Sequence, residues 1–409
     1  MGEPTNIEEL KDLTTNGIGK DPDAEPLVYD NPKITKAVPG WQWRGMIEKA
    51  NAVIRLPHRD VWNGKLLIGA TPAVRNEFSL DLLLSDIAIQ HGYAYAASDK
   101  ATPMLILRDP ARSMAEWPQV YVKLTEFAAD LVTETCGERP NKTYISGVSN
   151  GGYLTRIMLE RYPLLYDGGV EWEGVFWDPE SRHLMTTLPV WVKAYPVYCN
   201  WRGDRTEKER SQAYEKLVDA GLNPGSASVW DQYFMLYWLV SLWLYGRNLD
   251  PTWAPFQAEW SNDWLTDPDP IANYPWSERR DIVGERIQPI ANTGQLTKPL
   301  LSVAGNYDCL TPYRYHADAY AKLVNATGSG QHHRMYEINR GNHVDGLLRS
   351  KLAGQQPVQP FYEAALYALE DWVERGILPP KSGLYDDINE FTKRRDLLSR
   401  TISGAKMDL

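Results

Sequence analysis

Gly147-Val148-Ser149-Asn150-Gly151-Gly152 is the stretch on which the reading of this 409-residue chain turns. Residues 143–148 before it read as a strand, set off by the helix-breaking pair Pro140-Asn141. Residues 153–159 after it resume a helical spacing. A Gly-x-Ser-x-Gly match alone arises by chance in roughly one chain of this length in ten. At a strand-to-helix junction it carries a mechanism. The serine must occupy a turn too sharp for most residues, with its hydroxyl projecting from the sheet edge. The flanking glycines remove side chains that would collide with the strand and helix. The following helix points its positive end at the site, which favours a developing oxyanion.

Working outward, residues 52–56 and 65–68 read as neighbouring strands separated by the turn-forming Asn63-Gly64, and residues 93–97 as a third. Trp117, Val120, Leu124, Phe127, Ala128 and Leu131 recur at steps that place them on one helix face. Residues 170–176 read as another strand. After Pro299 the alternation returns, with strands at 300–304 and 334–338 and helices at 313–323 and 362–373. Alternation of this kind predicts an α/β fold, a mainly parallel sheet flanked by helices.

Between the two halves the character changes. Residues 178–298 hold nine of the 16 tryptophans, many prolines and little β-branched clustering. They read as an inserted, mostly helical, Trp-rich cap. The expected organisation is residues 1–177 and 299–409 as two parts of one core, with 178–298 as the cap. The first 40 residues are expected to wrap the surface, and the charged tail after Pro379 to be peripheral. The apolar run from Tyr233 to Tyr245 is too short for a membrane span, which needs roughly 20 residues. It reads as a buried helix or as the underside of a lid over an acyl pocket.

A serine hydroxyl needs a base to attack at neutral pH. Of seven histidines, His343 in Asn339-Arg340-Gly341-Asn342-His343 is best placed, just past the last strand of the core. His332 and His333 are expected to be solvated. The base needs an acid to fix its tautomer. Asp308 follows strand 300–304 through Gly305-Asn306-Tyr307 and is the first candidate. Asp178, after the strand ending near Phe176, and Asp345, two residues from His343, are its rivals. For the oxyanion, Asn150 should give one backbone N–H. Ala70 or Thr71, after strand 65–68, should give the other, since Pro72 has none.

The formal net charge of -10 disfavours nucleic acid and anionic membrane surfaces as partners. Three cysteines, Cys136, Cys199 and Cys309, make no disulfide framework and are expected to be reduced. The N-terminus has neither basic n-region nor apolar h-region, which predicts a cytoplasmic protein; a secreted chain trimmed of its leader would read the same. No metal or nucleotide motif is present, so no cofactor is expected.

With Trp62-Asn63-Gly64-Lys65-Leu66-Leu67, Gly92-Tyr93-Ala94-Tyr95-Ala96 and the serine motif, the chain resembles the α/β-hydrolase superfamily from about residue 50 to 375. The order Ser149, Asp308, His343 is the one associated with that arrangement. Within it the chain is most similar to the large-lid esterases around tannases and feruloyl esterases, and less so to hydroxyalkanoate-oligomer hydrolases. Tannase-like enzymes tie a cysteine beside the serine to one beside the histidine. Here Val148 and Asn342 or Val344 stand there, so that bridge cannot form. The resemblance implies hydrolysis of a small-molecule or oligomeric carboxylic ester with a bulky apolar or aromatic part. The alternatives are an amidase or peptidase using the same triad, and a non-catalytic ligand-binding protein on the same scaffold.

Overall fold

Residues 7–393, except 23, 25, 26, 32, 102–112 and 351–353, are described by a computed structural model. Ten strands form one sheet: β1 (Ile7–Leu10), β2 (Gly40–Ile47), β3 (Ala50–Pro57), β4 (Lys65–Ala70), β5 (Ala94–Ser98), β6 (Lys142–Val148), β7 (Gly168–Trp172), β8 (Leu300–Gly305), β9 (His333–Ile338) and β10 (Gly383–Tyr385). Their spatial order is β1-β2-β3-β5-β4-β6-β7-β8-β9-β10. β1–β2, β2–β3 and β3–β5 pair antiparallel, and the remaining neighbours pair parallel.

Period-two alternation sends side chains into a core on each face. On β5, Ala94 and Ala96 enter one core, while Tyr95 and Ala97 enter the other. Helices α1 (Trp117–Cys136) and α2 (Asn150–Arg161) cover the first face. Pro118 in the first turn and Gly137 beyond the end bound α1. Gly137 takes a left-handed φ of 82° and donates its N–H to Thr133 O at 2.9 Å.

The segment between β7 and β8 contains no strand and carries helices α3 (Leu184–Tyr198), α4 (Glu207–Asp219), α5 (Leu239–Leu249) and α6 (Trp276–Ile287). Trp191, Trp230, Trp238, Trp243 and Trp264 are buried there, in a core continuous with Ile68 and Ile145 of the sheet. A π-helical turn, Phe234–Trp238, runs directly into α5. It buries Phe234 and Trp238 but leaves Met235 and Leu236 exposed. Past β8 come α7 (Ala317–Ala326) and α8 (Gln359–Arg375). α8 packs Phe361, Tyr362, Ala365 and Leu369 into the second core.

Several expectations are corrected. β3 and β4 are not neighbours, because β5 inserts between them. The strand expected to reach 176 stops at Trp172, where Glu173 takes a φ of 51° and turns the chain. β1 pairs at one sheet edge rather than lying over the surface; the tail is peripheral in that β10 forms the other edge, and its residues 394–409 lie outside the described residues. His333 is not solvated: it opens β9, is buried, and bonds Ser302 Oγ at 2.9 Å. All three cysteines are free.

Candidate active site

Ser149 sits between β6 and α2 with φ 59° and ψ −118°. A non-glycine residue held there stores on the order of 1–3 kcal/mol of strain, retained only if the surroundings over-determine it. Here they do. The Ser149 N–H donates to Trp172 O at 2.9 Å, and its carbonyl accepts from Tyr153 at the start of α2. A Cβ at position 147 would lie 2.3 Å from Ala70 O, and one at 151 only 1.8 Å from the same atom. Only glycine lets α2 approach β4 this closely. Behind the turn, Arg156 of α2 is buried and paired with Glu171 of β7 at 2.6 Å.

Asp308 and His343 come together from the loops after β8 and β9. His343 Nδ1 lies 2.8 Å from Asp308 Oδ2, and both side chains are almost wholly buried. Asp308 Oδ1 accepts the Leu310 and Thr311 N–H groups at 2.6 and 2.7 Å, and Oδ2 accepts the Thr311 hydroxyl at 2.6 Å. Burial opposes ionisation of Asp308. The neighbouring His343 and these hydrogen bonds outweigh it and hold the carboxyl at about 2. Asn342 ties the two loops, its Oδ1 accepting from Cys309 N at 3.1 Å and His343 N at 2.8 Å. The cap braces the first loop as well, since Trp238 Nε1 donates to Cys309 O at 2.6 Å.

The rival acids are engaged elsewhere. Asp178 accepts Glu180 N at 3.0 Å and Ser181 Oγ at 2.6 Å, closing a local turn. Asp345 accepts Val358 N and Gln359 N at the start of α8, and burial pushes it up to about 7. The other buried histidines are held neutral by burial: His183 is lowered to about 4, His316 to about 3 and His333 to about 3.

Ser149, Asn150 and His343 open on a cavity of about 1400 Å³. Of the seven histidines, His343 alone lines it. Much of the opposite wall comes from the cap: Leu236, Tyr237, Val240, Leu244, Trp243 and Trp260. Tyr245 Oη donates to Asn150 Oδ1 at 2.9 Å, joining α5 to the residue after Ser149.

The loop after β4 departs from expectation. Ala70 is fully buried within the sheet, in register with Ser98 of β5 and Gly147 of β6. The Thr71 N–H donates to Tyr121 Oη at 3.0 Å. Neither residue reaches the cavity; Pro72, Ala73 and Val74 do. Ala73 has a left-handed φ of 44°, and its carbonyl accepts from Asn150 Nδ2 at 3.5 Å. The Asn150 N–H heads α2, where helix geometry offers no internal acceptor. Among the described residues, no three His, Cys, Asp or Glu side chains gather as a metal site would require. Among the same residues no helix is long and apolar enough to cross a membrane.

Sequence reasoning missed Glu173. It follows β7 directly, is buried, and turns its carboxyl toward the Asp308 loop, accepting from Gly305 N. The strand expected over residues 170–176 runs straight through it, which makes its side chain one more strand position.

No family model matches the chain, and no curated protein matches it in sequence. Solved structures do match in fold. Feruloyl esterase B from Aspergillus oryzae superposes with a TM-score of 0.57 at 13% identity, over 92% of this chain and 89% of that one. Tannin acyl hydrolase from Aspergillus niger gives 0.53 at 14% identity, over 93% of this chain and 84% of that one. The fold of this chain is therefore that of the α/β-hydrolases, with an aromatic-rich helical insertion resembling a lid.

Proposed function

We propose that the chain is a serine hydrolase that cleaves carboxylic esters with a bulky apolar or aromatic part. The observation that carries this reading is His343, paired with the buried Asp308, opening on the same cavity as a serine held at left-handed φ. Ser149 attacks the ester carbonyl and His343 Nε2 takes its proton. Asp308, on Nδ1, keeps the imidazole in the tautomer whose Nε2 is free and stabilises the imidazolium that forms. The Asn150 and Ala73 N–H groups receive the oxyanion; Ala73 replaces Ala70 and Thr71 because it lies on the cavity wall. Collapse releases the alcohol and leaves an acyl-enzyme, which water activated by His343 then hydrolyses.

The apolar cap wall supports a bulky acyl or alcohol group and excludes water around it. Two of the fold relatives are, by name, a feruloyl esterase and a tannin acyl hydrolase, which favours an ester as substrate.

Ser149→Ala tests the nucleophile. Hydrolysis of an aryl ester is expected to fall on the order of 10³-fold or more, with the circular dichroism spectrum and melting transition retained. Undiminished turnover by the folded variant refutes the assignment.

A further inference from the structure

Glu173 and Asp308 are two buried carboxyl groups facing each other beneath the Ser149 site. The backbone places Glu173 despite its left-handed φ: its N–H donates to Val303 O at 3.0 Å. Its Oε1 accepts the Gly305 N–H. Its Oε2 is buried and finds no donor; the carboxyl as a whole interacts with that of Asp308.

Two carboxylates cannot both stay ionised in such a place, and only a proton lets one bond the other. The donors around them decide which group carries it. Asp308 already receives the Leu310 N–H, the Thr311 N–H, the Thr311 hydroxyl and His343 Nδ1. Glu173 receives the Gly305 N–H.

We propose that Glu173 is a positioning residue of this site, a neutral carboxylic acid that donates its proton in a hydrogen bond to the Asp308 carboxylate and so fixes the group that holds His343. The inference rests on the reading of Ser149, His343 and Asp308 as a catalytic triad. Burial, with the charge of Asp308 next, pushes the Glu173 carboxyl well above the usual range, in the same direction. The other titratable groups do not offset this. Glu171 of β7 repels it and is itself paired with Arg156 of α2. Tyr313, after the Asp308 loop, interacts with Glu173 and is raised in turn by burial. His343 acts on Asp308, whereas His316 is held neutral by burial despite the nearby charge of Asp308.

Glu173→Gln and Glu173→Leu test the proposal, with the pH profile of kcat/KM on an aryl ester and an infrared spectrum as readouts. Glutamine can donate to Asp308 and accept from Gly305. Glu173→Gln should keep kcat within about threefold, with the acidic limb of the profile unmoved. Glu173→Leu, folded by circular dichroism, should lose at least about tenfold in kcat with KM little changed. At neutral pH the parent should show the carbonyl stretch of a protonated carboxylic acid that Glu173→Gln lacks.

An acidic limb that moves to lower pH in Glu173→Gln means a negative charge was removed, and overturns the neutral acid. So does a protonated-acid stretch unchanged in that variant. Full kcat in Glu173→Leu overturns the positioning role. The infrared readout needs no turnover, so it tests the shared proton even where Ser149 proves not to be the nucleophile.

Discussion

Asp308 illustrates how much local geometry one side chain needs before it can serve a histidine. A buried carboxylate is costly unless its lone pairs are filled. Here the Thr311 N–H and hydroxyl, the Leu310 N–H and His343 all bond to it. Asp308→Asn is expected to lower kcat on the order of 10³- to 10⁴-fold, because an amide no longer enforces the productive tautomer. The same variant should reveal a pH-dependent stability. The folded carboxyl titrates at about 2 against an ordinary 3.8. Its contribution, about 2 kcal/mol, is therefore fully present above pH 4 and lost as pH falls through 2. Urea unfolding at pH 5 and pH 2 checks this: the gap between parent and Asp308→Asn should narrow at the lower pH, and a constant gap contradicts it. Ser149, Asp308 and His343 were all readable as residues, because each follows a strand in an interpretable loop. Glu173 and Ala73 were not. Each depends on a left-handed φ at a non-glycine residue, which no propensity announces.

At the scale of elements, the contact that matters most runs between α5 and the start of α2. Tyr245 is half-buried, packs edge-on to Trp177 with centroids 5.3 Å apart, and holds the Asn150 side chain. Asn150 in turn reaches Ala73 O. The cap and the loop at residues 72–74 are thus joined through the residue after Ser149. Tyr245→Phe keeps the ring and removes one hydrogen bond, a change of about 1 kcal/mol. It should lower kcat/KM about three- to tenfold on an aryl ester without loss of fold; an unchanged kcat/KM denies the cap any part in placing Asn150. The helices carrying the site were legible from their apolar spacing, and the strands from β-branched runs bounded by turns. Sheet order was less so. Asn63-Gly64 suggested that the strands on either side of it were neighbours, but both instead pair with β5, whose residues arrive 30 positions later. Short edge strands such as β1 and β10 carry too few residues for a periodic signal.

The whole molecule places a large cavity between the C-terminal ends of the central strands and an aromatic insertion. The tryptophans that marked the cap in sequence are mainly packing: most are buried in a core shared with the sheet, while Trp243 and Trp260 also face the cavity. The apolar run from Tyr233 to Tyr245 serves both purposes. One side of it fills the cap core with Phe234, Trp238 and Leu242, and the other offers Leu236, Tyr237 and Val240 to the cavity. That division explains a helix apolar nearly all round without a membrane.

Ester hydrolysis in this cavity requires Ser149 to be an activated nucleophile. Reaction of the folded protein with a fluorophosphonate, followed by intact mass and peptide mapping, tests this most directly. One adduct per chain on Ser149, absent from Ser149→Ala and from the unfolded protein, is the result expected. No adduct in the folded protein, or an adduct on another residue, would contradict it.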